Sequence, residues 1–296
     1  MQADRDGPDA GHQENCLDRL NAHFKSEVRL FSFSDTLPQL EVTGALALPP
    51  ELQQSAARHR DILKNMRRPN ELHAILAEPG TTGASGATPD YKNMPPSLQF
   101  QTLDFAGICA LREHGRKPAI VSACAVLVCV ESREIILHRR SANAATAPGR
   151  LHTIGGAYLP PSGCNSSGNG SNAGDSGGLA DTVLREIAEE TGLHLQMPAL
   201  PTILCSQELA TGFLQFVFLG IPVPASQLVH LRGSWEGSIV RLAFDDMRKA
   251  LADPGWVPSG KAHVLAWLAL GASGPHPGQT FGGLGAAELF HLFTAS

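Results

Sequence analysis

The run A-I-V-S-A-C-A-V-L-V-C-V at 119–130 carries no charged residue and is the strongest constraint in the chain. It is too short to span a membrane, so it reads as a strand buried inside a folded core. S-R-E then makes a turn, and I-I-L-H-R-R at 135–140 is the returning strand of a hairpin. R-L-H-T-I-G-G-A-Y-L at 150–159 continues as a strand that runs into a glycine pair.

The rest of the chain must cover that strand. Its 296 residues are 43% hydrophobic, enough for a sizeable core. The length suits one domain of about 150 residues with an N-terminal companion. Net charge is −5 and there is no long basic run, which argues against nucleic acid or anionic membrane as a partner. The six cysteines contain no C-x-x-C, so neither a zinc ribbon nor a redox pair is signalled, and Cys124 and Cys129 are expected as buried thiols. The opening M-Q-A-D-R-D-G-P-D is acidic and lacks the regions of a signal peptide; the expected setting is cytoplasmic.

Residues 1–25 are expected to be disordered. Residues 26–117 are expected to form a small α+β N-terminal domain, with strands at 27–34 and 70–77, a helix opened by L-P-P-E-L-Q, a mobile loop at 79–96 and a helix at 103–114. The main domain is expected at 118–271. Within it, 160–178 is almost entirely Gly, Ser, Asn and Pro, a composition that buries too little apolar surface to fold, and it reads as a flexible insertion. A helix at 179–191 follows, stopped by Gly192, which can take the left-handed turn that ends a helix. Strands at 202–208, 213–220 and 238–243 and helices at 244–251 and 259–270 complete the domain. The remainder, 272–296, reads as a Gly/Pro-rich tail able to form a short apolar helix at 286–293.

The chemistry is concentrated in R-E-I-A-E-E-T-G-L at 185–193. Residues three and four apart share a helix face, so Glu186, Glu189 and Glu190 project from one side, with Leu184, Ile187 and Ala188 toward the other. Three carboxylates so close need a compensating positive charge. A hard divalent cation is suited to them, because magnesium combines a few carboxylates with waters and substrate phosphates. Arg185 can brace a carboxylate through its forked donors. Such an array suits metal-assisted attack of water on a diphosphate. A plain acidic, solvated helix face is the alternative.

This stretch resembles the C-terminal half of the Nudix box, G-x5-E-x7-R-E-U-x-E-E-x-G-U with U apolar. Arg185, Glu186, Ile187, Glu189, Glu190, Gly192 and Leu193 all match. The upstream half does not: its glycine should stand at Ser171 and its glutamate at Gly177. Gly156, in I-G-G-A-Y, is the glycine candidate, and Asp175 is the nearest carboxylate in the insertion. The resemblance implies a Nudix fold, an α/β architecture with a mixed sheet sandwiched between helices. It also implies a magnesium- or manganese-dependent diphosphate hydrolase. Glu186, Glu189 and Glu190 would be the catalytic carboxylates and metal ligands, held by Arg185. Glu236 is the further metal-binding carboxylate expected from a later loop, with Glu208 second. Arg139, Arg140, Gly155 and Gly156 are the expected substrate-binding residues, whereas His138 and His152 are expected to be incidental.

The order of L-P-P-E-L-Q, N-E-L-H-A-I-L and R-R-S-A-N-A-A-T-A-P-G-R-L-H-T-I-G-G is similar to animal UDP-glucose and UDP-galactose diphosphatases, which also carry an N-terminal domain. That similarity implies a UDP-sugar, cleaved to a nucleoside monophosphate and a sugar phosphate. ADP-ribose and coenzyme A are alternatives, although I-G-G stands where coenzyme A pyrophosphatases carry a phenylalanine-proline-glycine-glycine run. A nucleotide-binding or interaction module without catalysis is the alternative of a different class, motivated by the broken upstream half. The expected partner is a small-molecule nucleotide. The N-terminal part would cover the site, orient substrate or hold a homodimer together, and the sequence does not choose among these.

Overall fold

A computed structural model describes residues 10–76, 96–144, 146–160, 178–271, 280–281 and 283–294. In chain order the elements are α1 (Ala10–Phe24), β1 (Val28–Ser34), β2 (Gln39–Ala45), α2 (Pro50–Asn65), β3 (Leu72–Leu76), β4 (Ser97–Asp104) and α3 (Phe105–Glu113). There follow β5 (Val121–Cys129), β6 (Glu134–Arg140), β7 (Leu151–His152), β8 (Ile154–Ala157), α4 (Leu179–Thr191), β9 (Thr202–Glu208), β10 (Leu214–Pro222) and β11 (Gly237–Ala243). The chain closes with α5 (Met247–Ala252), α6 (Pro258–Gly271), β12 (Thr280–Phe281), β13 (Leu284–Gly285) and α7 (Ala286–Thr294).

The main sheet has the order β1-β9-β10-β5-β6-β11, mixed in direction because β10 runs parallel to β5 while its other pairs are antiparallel. β5 lies at its middle and every one of its residues is buried. Side chains alternate across a strand. Cys124, Val126 and Val128 therefore enter one core layer with α1, α6 and α7, while Val121, Ala123, Ala125 and Leu127 enter the other with α4. Burying an aliphatic side chain of this size contributes roughly 1.5–3 kcal/mol, so an uncharged run covered on both faces anchors the fold. The α/β class with a mixed sheet between helices is what the structure shows.

Ahead of this sheet, β2, β4 and β3 form a three-stranded sheet with α2 and α3 packed together beside it. This is the expected α+β region, with three differences, the first being β2 itself, which was not among the expected strands. The strand Val28–Ser34 belongs to the main sheet, paired with β9, because its apolar face completes the layer under α1. The strand Ser97–Asp104 precedes the helix; its alternation of Leu98 and Phe100 with Gln99 and Gln101 is short and breaks at Thr102, which hid it in the sequence.

Two further expectations are corrected. Disorder was expected over 1–25, yet α1 occupies Ala10–Phe24 and buries Cys16, Leu20 and Phe24. The low apolar content of the segment suggested a solvated tail, but those three residues recur at helical spacing and form a stripe. At the other end, the short apolar helix expected at 286–293 forms as α7, but it belongs to the core rather than to a tail: Leu289 and Phe290 are buried in the same layer. The loop at 79–96 and the insertion at 160–178 fall almost entirely outside the described residues. Among the described residues no helix is long and apolar enough to cross a membrane.

Candidate active site

The location of the site follows from how β5 is shared. One edge of β5 pairs with β10 along its length. The other edge is divided: residues 127–129 pair with β6, and residues 122–125 pair with β8. This division inserts the glycine pair into the sheet. Gly155 lies opposite Cys124, and Gly156 lies opposite Ala123. A Cβ on Gly155 would meet the Ala123 carbonyl at 2.4 Å, and one on Gly156 would meet the Glu186 carboxyl carbon at 2.4 Å. The first glycine lets two backbones approach; the second leaves room for a carboxylate.

α4 lies over this pair. Leu179, Val183 and Ile187 form its apolar stripe, and Glu186 and Glu190, four residues apart, continue along the same buried side. Leu184 and Ala188, expected to face the core, are only partly buried. The helix ends as expected: Gly192 has φ +75°, donates to the Ala188 carbonyl at 3.0 Å, and Leu193 is buried beyond it.

Each glutamate has a distinct support. Glu190 is 4% exposed; its Oε2 accepts from the Gly155 N–H at 3.1 Å, and its Oε1 lies 3.2 Å from His138 Nδ1. Glu186 pairs with Arg185 at 2.8 Å, in a contact not aligned as a hydrogen bond. Glu189 is exposed and accepts from Arg185 Nη1 at 3.0 Å. The pKa of Glu186 is pushed up to about 7, chiefly by burial, opposed by Arg185 and reinforced by Glu190, Glu189 and Glu236. Burial and the Glu190 charge likewise raise the pKa of Glu236, while His138 and Arg140 oppose the rise. The negative charge of the cluster is therefore incompletely balanced by Arg185.

These groups open into a cavity of about 1200 Å³. Its lining includes Gly155, Gly156, Arg185, Glu186, Glu189, Glu190, Arg140 and Glu236, and also Glu208 and His152. A smaller cavity of about 280 Å³ shares Arg140, Trp235 and Glu236 with it. Arg140 is fixed from the side by Thr146, donating to its carbonyl at 2.8 Å and to its hydroxyl at 3.2 Å. Arg139 is corrected as a substrate-binding candidate. It is exposed, donates to the Gly149 carbonyl and lines neither cavity, because neighbouring residues of β6 point to opposite faces. Asp175 lies outside the described residues.

The two histidines set aside in the sequence are both at the site. His138, on β6, is 2% exposed and touches Glu190; His152 lines the larger cavity and lies 3.2 Å from Ser259 Oγ. Nothing local marked them, since Glu190 and Ser259 are far away in sequence.

The donor set suits a hard cation: the carboxylates are all oxygen ligands, incompletely neutralised, over a glycine that leaves space. Among the described residues no three acidic, imidazole or thiolate groups converge as a ready-made cage.

No family model matches the chain, and no curated protein matches it. Several solved structures are similar to part of it. The MutT protein from Methanosarcina mazei Go1 is 25% identical with a TM-score of 0.35, over 49% of this chain and 91% of that one. Nudix hydrolases are among these partial likenesses. One from Nitrosomonas europaea is 18% identical with a TM-score of 0.35, over 50% of this chain and 88% of that one. A bifunctional NMN adenylyltransferase/ADP ribose pyrophosphatase from Francisella tularensis, complexed with AMP and a Mn ion, is 14% identical with a TM-score of 0.40, over 56% of this chain and 46% of that one.

Proposed function

We propose that this protein is a Nudix-type, divalent-metal-dependent hydrolase that cleaves the diphosphate of a nucleoside diphosphate joined to another group. The observation that carries the reading is the placement of R-E-I-A-E-E-T-G-L: its Glu186 and Glu190 are turned over Gly156 and Gly155 at the wall of a cavity large enough for a nucleotide. Glu186, Glu189 and Glu190 would hold magnesium or manganese, with Glu236 facing them from the turn before β11. Such a metal supplies Lewis-acid polarisation of phosphoryl oxygens and an acidified water.

The chain's own residues have separable tasks. Arg185 ties Glu186 to Glu189 and keeps the exposed carboxylate near the buried one. The Gly155 N–H and His138 fix both oxygens of Glu190, so that this carboxylate is oriented before any ligand arrives. Arg140, on the cavity wall, offers a charge-assisted donor to a diphosphate oxygen. Among the attached groups we place a UDP-sugar first, supported by the order of motifs along the chain, with ADP-ribose and coenzyme A as alternatives.

The test is product formation with magnesium or manganese on UDP-sugars, ADP-ribose, coenzyme A and nucleoside triphosphates, beside a Glu190→Gln control. Turnover of one class, reduced at least about a hundredfold in the control, is expected, since an interaction of this kind supplies several kcal/mol. Tight nucleotide binding without any product across the panel would favour the interaction-module reading instead.

A further inference from the structure

The larger cavity has a second polar wall, built by β9, β10 and the start of α6. Gln215 on β10 lies directly opposite Ser206 on β9, and Glu208 stands two residues further along β9. The two side chains are therefore diagonal neighbours on one face of the strand pair. Both line the cavity, as does His152.

The proton count on this wall does not close. Glu208 Oε2 accepts from the Thr211 hydroxyl at 2.6 Å, and Glu208 Oε1 lies 3.3 Å from Ser259 Oγ. The same Ser259 Oγ is 3.2 Å from His152 Nε2. His152 Nδ1 is 2.6 Å from the Thr153 carbonyl, which only accepts, so Nδ1 carries the ring proton. Burial lowers the pKa of His152, in keeping with a neutral ring whose Nε2 is an acceptor. A serine hydroxyl has one proton. Ser259 can satisfy Glu208 or His152 but not both, and one acceptor stays open.

A second acceptor is open beside it. Gln215 is 4% exposed, and its amide nitrogen lies 3.9 Å from Cys124 Sγ. Its carbonyl oxygen has no hydrogen-bond partner among the described residues. The terminal amide torsion is broad, so the amide can turn at low cost to offer that oxygen to a ligand. A buried amide left without a partner is costly, and a ligand that supplies one is favoured correspondingly.

Two open acceptors call for a ligand with two donors. A phosphate or carboxylate presents acceptors at neutral pH and does not fit. A ring with adjacent hydroxyls does. We propose that Glu208, Gln215 and His152 form a hydroxyl-reading subsite for a polyhydroxylated sugar ring. That this ring is attached to a diphosphate rests on the hydrolase reading above; the hydroxyl preference itself does not.

The experiment measures metal-free binding by calorimetry, with uridine diphosphate glucose compared with the cyclohexyl ester of uridine diphosphate, which has the ring without its hydroxyls. Turnover of uridine diphosphate glucose with magnesium is measured alongside. The wild-type chain should bind the hydroxylated ligand about tenfold more tightly, the equivalent of one or two neutral hydrogen bonds. Gln215→Met, close in size and without the amide, should bring that ratio to near one. Glu208→Gln should also reduce it, and carries the test if Gln215→Met does not fold. Equal affinities in the wild-type chain, or a preference retained in the folded variants, would overturn the subsite. A preference that is present and lost in the variants, with no turnover of uridine diphosphate glucose, ADP-ribose or coenzyme A when each is assayed with magnesium in parallel, would uphold the subsite and remove the hydrolase reading.

Discussion

Gly155 and Gly156 are adjacent and chemically identical, yet the structure assigns them different work. Gly155 has φ +150°, and a methyl on it would press into the backbone of β5 at Ala123 and Cys124. Gly155→Ala should therefore lower stability by about 1–3 kcal/mol through overpacking, read as a shift in a urea unfolding midpoint. The atoms nearest to a methyl on Gly156 are those of the Glu186 carboxyl group, the far end of a side chain that can swing away. Gly156→Ala should leave the unfolding midpoint nearly unchanged and lower magnesium-dependent turnover at least about tenfold, because a displaced carboxylate loses its preorganisation. Equal effects on stability in the two variants would contradict the division. The glycine pair was visible in the sequence, but the separate tasks were not: they depend on which atom faces each Cα across the sheet and across α4.

Local pattern revealed the elements wherever a strand or helix had one covered side and a clear end. Pro49 and Pro50 open α2, Gly192 closes α4, and the uncharged run became β5. It failed where an element is stabilised mainly by distant partners. α1 is such an element: its mean composition is polar, and Cys16, Leu20 and Phe24, with Leu17 partly buried beside them, commit it to the layer formed by α6 and α7. Leu20 is fully buried, so Leu20→Ala should destabilise the protein by about 2–5 kcal/mol, the usual range for removing a buried leucine. A loss below about 0.5 kcal/mol in chemical denaturation would mean that α1 is the solvated tail its composition suggests.

For the molecule as a whole, the decisive contact is the seam between the three-stranded sheet and the main one. Leu76 N–H donates to the Ala119 carbonyl at 2.9 Å, and Ile75 bridges to Ile120. His73, on the same strand β3, is 9% exposed, and burial together with the Arg112 charge holds its pKa down at about 4. Its folded pKa is below the value of about 6.5 in an unfolded chain. The stability it contributes is thus complete above pH 6.5 and is lost as pH falls through 4, by on the order of 3 kcal/mol. Thermal melts of the wild-type chain and of His73→Gln should converge as pH is lowered from 7 to 4. A constant difference between them would show that His73 has the same pKa folded as unfolded.

By itself, the sequence determined the buried central strand, the helix that carries Arg185, Glu186, Glu189 and Glu190, and the glycine pair, because each is written in a contiguous stretch whose spacing has one reading. Only the tertiary structure decided that β5 shares one edge between β6 and β8, which places the glycines beneath that helix. It also decided that His138 supports Glu190, that Arg139 lies outside the cavity, and that Glu208, Gln215 and His152 share a wall. Most of these are meetings of residues tens of positions apart, and their contacts are fixed by sheet register and by the packing of helices on both faces, neither of which is encoded in local periodicity.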